Sequence, residues 1–293
     1  MSEPQPGILA PVPSLARYVW FRLLPGADPR PALAALRRAP ADGSLVLGLG
    51  RETVRALGAE VKGLHELPAL AGAGVSVPST PAALWCWLRG DDRGDLVHAA
   101  RALAAKAAPA FAPVQVVDAF QYRGGRDLSG YEDGTENPKG AAAVEACIVT
   151  GSGGGMDGSS FVAVQQWVHD LDRFAALPPA QRDATIGRRI ADNAEIADAP
   201  ASAHVKRTAQ ESFDPPAFVL RRSMPWADAT REGLVFVAFG HSLDAFERLL
   251  RRMVGEDDGV VDALFRFTRP LTSASFWCPP VTAGALEGSA LGL

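Results

Sequence analysis

Two apolar strand patterns, each followed by a helical pattern, recur 150 residues apart and set the strongest limit on the fold. Residues 84–91, Leu-Trp-Cys-Trp-Leu-Arg-Gly-Asp, precede an amphipathic helix predicted over 95–107. Residues 234–241, Leu-Val-Phe-Val-Ala-Phe-Gly-His, precede a helix predicted to be capped by Ser242 and to end near Val254. Short, varied strands that alternate with helices are typical of split β-α-β units rather than of a doubly wound sheet. The sequence therefore predicts an α+β duplication.

The predicted halves meet in a region of small residues. We assign residues 1–145 to an N-terminal half that ends in an acidic loop, and residues 146–293 to a C-terminal half. Residues 139–160 are rich in glycine and are interpreted as a connector. Residues 1–14 are proline-rich and predict a loose arm, and residues 178–192 predict a helix.

Composition excludes several classes of protein. The chain has 293 residues, 47% of them apolar, which is enough for a sizeable core. Its net charge of -4 argues against nucleic-acid binding. No apolar run approaches the ~18 residues that a membrane helix needs, and the first residues lack a signal-like apolar block, so we expect a soluble cytoplasmic protein. Three isolated cysteines argue against a zinc site and a disulfide framework.

The most concentrated chemistry lies in residues 130–138, Gly-Tyr-Glu-Asp-Gly-Thr-Glu-Asn-Pro. Three crowded carboxylates repel one another, so they need a cationic partner, a metal or open water. Gly130 and Gly134 allow sharp turns or a close approach to a flat ligand. A solvated surface turn is the simpler alternative, and the spacing of an EF-hand calcium loop is not met.

His204 differs from the other four histidines in its surroundings. It stands among small residues and precedes Lys206 and Arg207, so a planar acidic ligand would find both space and positive charge. None of the histidines has a paired metal-binding spacing. An ordinary, hydrogen-bonded histidine is the alternative interpretation.

These segments together resemble the dye-decolourising peroxidases, and the bacterial B-type members in particular. Residues 130–134 match the GxxDG motif of that family, and residues 135–138 match its B-type extension. The segment around His204 resembles the segment with the haem-ligating histidine, and residues 219–225 resemble the one with the distal arginine. The resemblance spans roughly residues 18–280. It implies a duplicated ferredoxin-like α+β barrel with antiparallel sheets, peripheral helices and one haem b per chain.

The resemblance implies a role for residues on both sides of the haem. His204 is the expected iron ligand, and its second ring nitrogen should donate to a carboxylate or carbonyl. Asp262 is the residue we would test for that role; capping the helix that follows it is an equal alternative. Asp133 and Arg221 are expected to activate peroxide, the acid by moving a proton and the guanidinium by supplying fixed charge.

Further site residues follow from their position in the motifs. Many B-type relatives have asparagine two positions after the arginine, where this chain has Ser223, and a shorter side chain puts peroxide reactivity in question. Arg207 is expected to pair with a haem propionate. Asn137 and the backbone of Gly134, Thr135 and Glu136 are expected to line the edge of the ring.

The resemblance predicts a haem peroxidase that uses hydrogen peroxide to oxidise organic donors, such as dyes and phenolics, by single electrons. The alternatives are a haem-handling protein with weak turnover, a haem-free ferredoxin-like binding protein, and the chlorite-decomposing haem fold, against which the acidic loop argues. The resemblance also implies a homo-oligomer. Residues 283–293 predict a disordered tail, although their spaced leucines loosely resemble the peptides that load relatives into encapsulin shells.

Overall fold

The computed structural model describes residues 2–72 and 74–293; Met1, the start of the predicted arm, and Ala73 lie outside it. The strands are β1 Leu15–Leu23, β2 Leu45–Leu49, β3 Leu70–Gly72, β4 Val75–Val77, β5 Leu84–Gly90, β6 Phe111–Phe120, β7 Ser160–His169, β8 Leu220–Arg221, β9 Met224–Ala227, β10 Glu232–Gly240, β11 Thr268–Pro270, β12 Ala274–Cys278, β13 Val281–Thr282 and β14 Ala285–Leu286.

The α-helices are α1 Pro6–Leu9, α2 Arg30–Leu36, α3 Arg51–Ala56, α4 Arg93–Ala107, α5 Ala141–Cys147, α6 Leu171–Ala175, α7 Pro179–Ile186, α8 His204–Arg207 and α9 Asp244–Met253. Short 3-10 helices cover Ala39–Asp42, Gln210–Ser212, Ala263–Arg266 and Ser289–Leu291. No helix in the described ranges is both long enough and apolar enough to cross a membrane.

The two halves of the chain form sheets with the same strand order. In the N-terminal half the order is β6-β1-β5-β2, and in the C-terminal half it is β12-β7-β10-β9. In each half the first and third strands are central and the fourth and second are outer, which is the order of a split β-α-β unit. The predicted α+β duplication with antiparallel sheets is confirmed.

The two sheets join into a closed barrel. Strand β2 pairs with β12 through Leu49 and Trp277, and β6 pairs with β9 through Ala119 and Trp226. Closure removes the exposed strand edges that an open sheet would leave. The helices therefore pack on the outside of the barrel, where α4 covers one sheet and α9 the other.

Alternation along the strands explains why their sequences are continuously apolar. In β5, Trp85 and Trp87 belong to the cluster that fills the barrel, whereas Cys86 and Leu88 face the helices. In β10, Val237 likewise lies inside the barrel. Successive side chains of a strand point to opposite faces, so a strand covered on both faces needs apolar residues at each position.

The proline-rich start of the chain is fixed rather than loose, so that prediction is wrong. Gln5 is fully buried and donates to the carbonyls of Leu47 and Pro279, while its amide oxygen accepts from Leu47 N at 2.8 Å. Buried amide groups that find all their partners hold a segment in place. The arm therefore joins strand β2 to the segment after β12.

The end of the chain is also packed, contrary to the predicted disordered tail. Strands β13 and β14 form a hairpin, and Leu286 and Leu291 are buried in the core of the N-terminal half. Arg37 donates from its Nε to the carbonyl of Leu286 and accepts at its own carbonyl from Leu286 N.

Two predicted boundaries shift in the structure. Helix α7 ends at Ile186 instead of residue 192, because Gly187 takes a left-handed conformation at φ 92° and stops it. Helix α9 begins after Leu243 and has no side-chain cap from Ser242. The division at 145/146 falls inside α5 and stays a prediction.

Candidate active site

A large cavity opens against the C-terminal sheet and holds about 1530 Å³ of space free of protein atoms, part of it open to solvent. One wall is apolar and includes Leu234 and Phe236 of β10 and Leu249 and Met253 of α9. The residues that line the cavity fall between Asp127 and Thr268. A concave, largely apolar site with a few polar groups is the usual form of a cofactor site.

The acidic loop winds tightly before it reaches the cavity. Gly130 and Gly134 have φ values of 91° and 76°, the left-handed region that suits glycine. Asp127 N donates to the carbonyl of Tyr131, and Asp133 N donates to the carbonyl of Gly125. These bonds fix the direction in which the side chain of Asp133 leaves the loop.

Asp133 and Arg221 form an ion pair in the cavity wall. Asp133 Oδ1 lies 3.3 Å from an Arg221 terminal nitrogen, and the side chains are 22% and 18% exposed. The crowded carboxylates thus have the cationic partner that their sequence requires. Arg221 Nε is buried and has no hydrogen-bond partner within the described chain, so the guanidinium keeps unused donor capacity.

Asn137 ties the acidic loop to the strand that carries Arg221. Its Nδ2 donates to the carbonyl of Arg221 at 2.9 Å, and its Oδ1 accepts from Arg221 N at 2.8 Å. These two hydrogen bonds occupy the side-chain amide of Asn137, which does not line the cavity. A Cβ at Gly134 would come within 2.9 Å of Asn137 Nδ2, so glycine also protects this contact.

His204 lies in the cavity wall and is oriented from behind by Asp262. Its Nδ1 is 2.7 Å from Asp262 Oδ2, and Asp262 is 1% exposed. The other oxygen of Asp262 accepts from Leu264 N at 2.9 Å and caps the helix that follows. Asp262 therefore contacts the second ring nitrogen of His204 and also caps the helix that follows it, so the two contacts that the sequence left as alternatives both occur. His204 Nε2 makes no hydrogen bond with the described residues and is left for a ligand.

The structure reveals a second imidazole–carboxylate pair that sequence reasoning missed. His169 lines the cavity, with Nε2 3.0 Å from Asp127 Oδ1 and Nδ1 2.6 Å from Thr268 Oγ1. Burial raises the pKa of Asp127, but hydrogen bonds from His169 and Ser129 and the charge of His169 outweigh it and hold that pKa below its usual range. Both ring nitrogens of His169 are engaged, so it is not free to bind a metal.

Polar contacts cross the cavity mouth between the acidic loop and the segment after α7. Arg188 lines the cavity and contacts the carboxylates of Glu136 and Glu195. Asn193 donates from Nδ2 to Thr135 Oγ1 at 2.9 Å and to a Glu132 carboxylate oxygen at 2.9 Å. Arg188 was not identified from the sequence; the Gly187 helix stop that places it there was the available signal.

Four of the residues expected at the site do not line the cavity, namely Gly134, Asn137, Arg207 and Ser223. The guanidinium of Arg207 is buried and bound at both terminal nitrogens by Asp258, at 2.7 and 2.8 Å. Ser223 Oγ accepts a 3.4 Å hydrogen bond from Val237 N on β10. The geometry does not support Arg207 as a propionate partner, because its charge is already paired elsewhere.

The fold and cavity define a class of protein, an α+β barrel with a large, partly apolar cavity beside an acid–guanidinium pair. The family model described as Dyp-type peroxidase, C-terminal, matches residues 124–283. Because that match covers more than half of the chain, the chain belongs to the Dyp-type peroxidase family, a family of haem-dependent peroxidases.

Individual relatives agree with that assignment. A dye-decolorizing peroxidase from Mycolicibacterium paratuberculosis is 30% identical over 74% of this chain and 63% of its own length, so the chain spans less than two thirds of it. One from Rhodococcus erythropolis is 29% identical over 93% of this chain and 78% of its own. A DypB variant from Rhodococcus jostii, solved in complex with heme, is 25% identical, with a TM-score of 0.86 and coverage of 94% and 96%.

Proposed function

We propose that the chain is a haem b peroxidase, with one haem per chain, that uses hydrogen peroxide to oxidise organic donors by one-electron steps. One observation carries the proposal. His204 lines the same cavity as the Asp133–Arg221 pair. One of its ring nitrogens is held by Asp262, and the other makes no hydrogen bond with the described residues. The donors we expect are dyes and phenolics.

The residues present fit a haem. An imidazole is a common protein ligand of haem iron, and His204 Nε2 is the one ring nitrogen of the two cavity histidines that has no hydrogen bond to the described residues. The carboxylate of Asp262 fixes the ring tautomer and raises the basicity of the ligand. The apolar wall from β10 and α9 suits the macrocycle, and the buried, unpaired Nε of Arg221 marks where a polar ligand group belongs.

The propionates need positive charge at the cavity, and Arg188 supplies it in place of Arg207. Arg188 lines the cavity beside Thr135 and Glu136, whose backbone we assign to the edge of the ring together with that of Gly134. A guanidinium binds carboxylates in a bidentate manner, so Arg188 can exchange its contact with Glu136 for a propionate. Asn137 acts indirectly, by holding the backbone of Arg221.

When bound, the haem would supply the iron at which hydrogen peroxide is reduced and would hold the two oxidising equivalents of the peroxide for two one-electron oxidations of donors. Asp133 would accept a proton from one peroxide oxygen at a carboxylate oxygen and return it to the other, which leaves as water. Arg221 holds its positive charge beside Asp133 and would stabilise the negative charge that develops as the peroxide oxygens separate. Both residues are assigned to this step without ranking their contributions.

The ligand assignment is tested by titrating His204→Ala with hemin and recording the Soret band. We expect the variant to lose the band or to retain haem weakly. His169→Ala is the matched control, because it removes the other cavity histidine and should leave the Soret band in place. Normal haem binding by His204→Ala would overturn the assignment.

A haem-handling protein with weak peroxidase turnover is the second candidate, and Ser223 is the observation that favours it. Its hydroxyl is directed to Val237 N and does not reach the cavity, so the distal side has one hydrogen-bonding group fewer than in relatives with asparagine. Steady-state oxidation of a dye by the haem-loaded protein separates the two candidates. Turnover no greater than that of free hemin would favour haem handling.

We also propose a cytoplasmic homo-oligomer that is loaded into an encapsulin shell through residues 283–293. These proposals follow from the family resemblance and from the spaced leucines of the tail. Leu293 is 49% exposed, whereas Leu286 and Leu291 are buried, so recognition by a shell requires the tail to detach. Light scattering gives the oligomeric state, and cell fractionation and co-purification with a co-expressed shell protein test the location and the loading.

A further inference from the structure

Tyr131 is the second residue of the acidic motif, and the peroxide mechanism above assigns no part to it. Its ring is 5% exposed, lines the cavity and packs edge-on against Phe174 at 6.0 Å. Its hydroxyl donates a 2.5 Å hydrogen bond to Asp183 Oδ1 on α7. The phenol therefore touches both the space assigned to the cofactor and a carboxylate outside it.

We propose that Tyr131 is a redox-active residue that passes single electrons from donors to the peroxide-oxidised enzyme, with Asp183 as its proton acceptor. The inference rests on the proposed haem peroxidase function. Tyr131 loses one electron to the oxidising equivalent derived from hydrogen peroxide, and its O–H bond breaks as the proton moves to Asp183. The products are a neutral phenoxyl radical and protonated Asp183. A donor returns one electron, and the proton moves back to the phenol.

Burial is the reason that this proton needs a dedicated acceptor. Burial and the Asp183 carboxylate raise the pKa of Tyr131 far above its ordinary value, so the phenol stays protonated in the resting enzyme. An oxidised phenol that keeps its proton carries a positive charge, and an apolar site disfavours that charge. Asp183 is only partly buried, so a carboxylate at this position can exchange the proton with solvent.

The other two tyrosines lack this arrangement. The hydroxyl of Tyr18 is buried inside the barrel and has no hydrogen-bond partner among the described residues, so no acceptor for its proton is found there. Tyr122 has the guanidinium of Arg123 5.3 Å from its ring centroid, and its hydroxyl makes no hydrogen bond with the described residues. Neither of these phenols therefore has, within the described part of the chain, a carboxylate in hydrogen-bond contact that could take its proton.

Trp167 is the rival electron carrier in the cavity wall. Its Nε1 donates to Gln165 Oε1 at 3.1 Å. That acceptor is a neutral amide, which does not take up a proton near neutral pH. Oxidation of Trp167 would leave its charge in the apolar wall, whereas oxidation of Tyr131 moves a proton onto a carboxylate and leaves both neutral.

The test is electron paramagnetic resonance of the haem-loaded protein, frozen within milliseconds of mixing with one equivalent of peroxide and no donor. We expect a radical signal that narrows when the protein is produced with ring-deuterated tyrosine. Tyr131→Phe should abolish that signal, and Tyr18→Phe and Trp167→Phe should retain it. Haem content is checked in each sample from the Soret band.

Asp183 provides a test that leaves the phenol in place. Asp183→Asn can still accept a hydrogen bond but cannot take the proton, so the radical yield should fall to a minor fraction. Asp183→Glu should restore it. A purely structural hydrogen bond would leave the yield unchanged in Asp183→Asn, and that result overturns the inference even if Tyr131→Phe misfolds.

The outcomes separate this inference from the function on which it rests. Protein that binds haem and consumes peroxide, but shows no tyrosine-derived signal, or shows the same signal in Tyr131→Phe, overturns the radical assignment alone. Protein that fails to bind haem overturns both proposals.

Discussion

At the scale of single residues, the site depends on side chains that satisfy two partners at once. Asp262 accepts from His204 and from a helix N–H, and Asn137 both donates to and accepts from the backbone of Arg221. A residue with two partners is costly to replace, because each buried group left unpaired costs about 1–3 kcal/mol.

The Asp133–Arg221 pair should control the reaction with peroxide. We expect Asp133→Asn and Arg221→Leu each to slow that reaction, for the acid by about 10²–10⁴-fold, because the proton then has no carrier. Stopped-flow absorbance after mixing with peroxide gives the rates. Glu132→Gln, next to Asp133 but paired with Arg126 outside this pair, is the control and should react normally. Unchanged rates in both site variants would remove the proposed mechanism.

Ser223→Asn should increase the rate of the reaction with peroxide. An asparagine is longer than serine and carries an amide that can reach past the backbone toward the cavity. We expect a higher rate with peroxide and no change in haem content, both measured on one preparation. A rate that stays the same or falls would show that Ser223 is not what limits peroxide reactivity.

Sequence reasoning found those site residues that lie in compact motifs and missed those that only the fold brings together. Asp133, His204 and Arg221 were identified from local patterns and line one cavity. His169 and Asp127 are 42 residues apart in the sequence, and only the folding of the barrel brings them into contact. Arg207 was misjudged because its neighbour His204 suggested a shared ligand, whereas Asp258, 51 residues away, takes its charge.

At the scale of elements, contacts between loops and strands hold the acidic side of the site in place. The acidic loop is bound to β8 through Asn137 and to the end of β7 through Asp127 and His169. The sequence predicted the main strands well, because residues buried on both faces give continuous apolar runs. It failed at the two ends of the chain, where long-range contacts override a composition typical of loops.

Asn137→Ala should uncouple Arg221 from the acidic loop. The backbone N–H of Arg221 loses its partner, whereas its carbonyl keeps a 3.3 Å hydrogen bond from Arg222, so we expect the free energy of unfolding to fall by about 1–3 kcal/mol. The reaction with peroxide should slow as well, while haem stays bound. Thermal unfolding and stopped-flow mixing measure the two effects. Loss of stability with an unchanged rate would show that the clamp does not position Arg221 for the reaction.

The pairing of β1 with β6 should depend on pH through Asp118. Arg17 lies directly opposite Asp118, and its hydrogen bond and charge hold the pKa of that carboxyl below its usual range. Because the pKa of Asp118 is lower in the folded state, this ion pair stabilises the fold at pH values above the unfolded-state pKa, which is near 3.9. The stabilisation is lost as the pH falls through the lower folded-state pKa.

Asp118→Asn should therefore lower the free energy of unfolding at pH 7 by roughly 0.2–1 kcal/mol, a typical value for a cross-strand charge pair. The difference from the unsubstituted protein should vanish at strongly acidic pH. Denaturant titrations at several pH values measure it, with Asp91→Asn at an exposed turn as control. A difference that persists at low pH would assign the effect to packing.

At the scale of the whole molecule, the last residues of the chain stabilise its first half. Leu286 and Leu291 pack in the same cluster as Leu36 of α2. Deleting residues 283–293 should therefore lower the thermal midpoint of the whole protein, because burying a leucine contributes about 1.5–3 kcal/mol. Leu293→Ala, which alters an exposed residue, is the control. A deletion with an unchanged midpoint would mean that the tail is dispensable for folding.

The cavity takes all its lining from residues 127–268, so the first four strands of the barrel ring hold the chemistry in place without touching it. Sequence changes in β1, β2, β5 and β6 therefore leave the cavity lining unaltered, as long as the seams with β9 and β12 still close and the interior packing of Trp85 and Trp87 is kept. A hybrid protein that takes those strands and their helices from a distant relative should therefore keep the site residues of this chain in place.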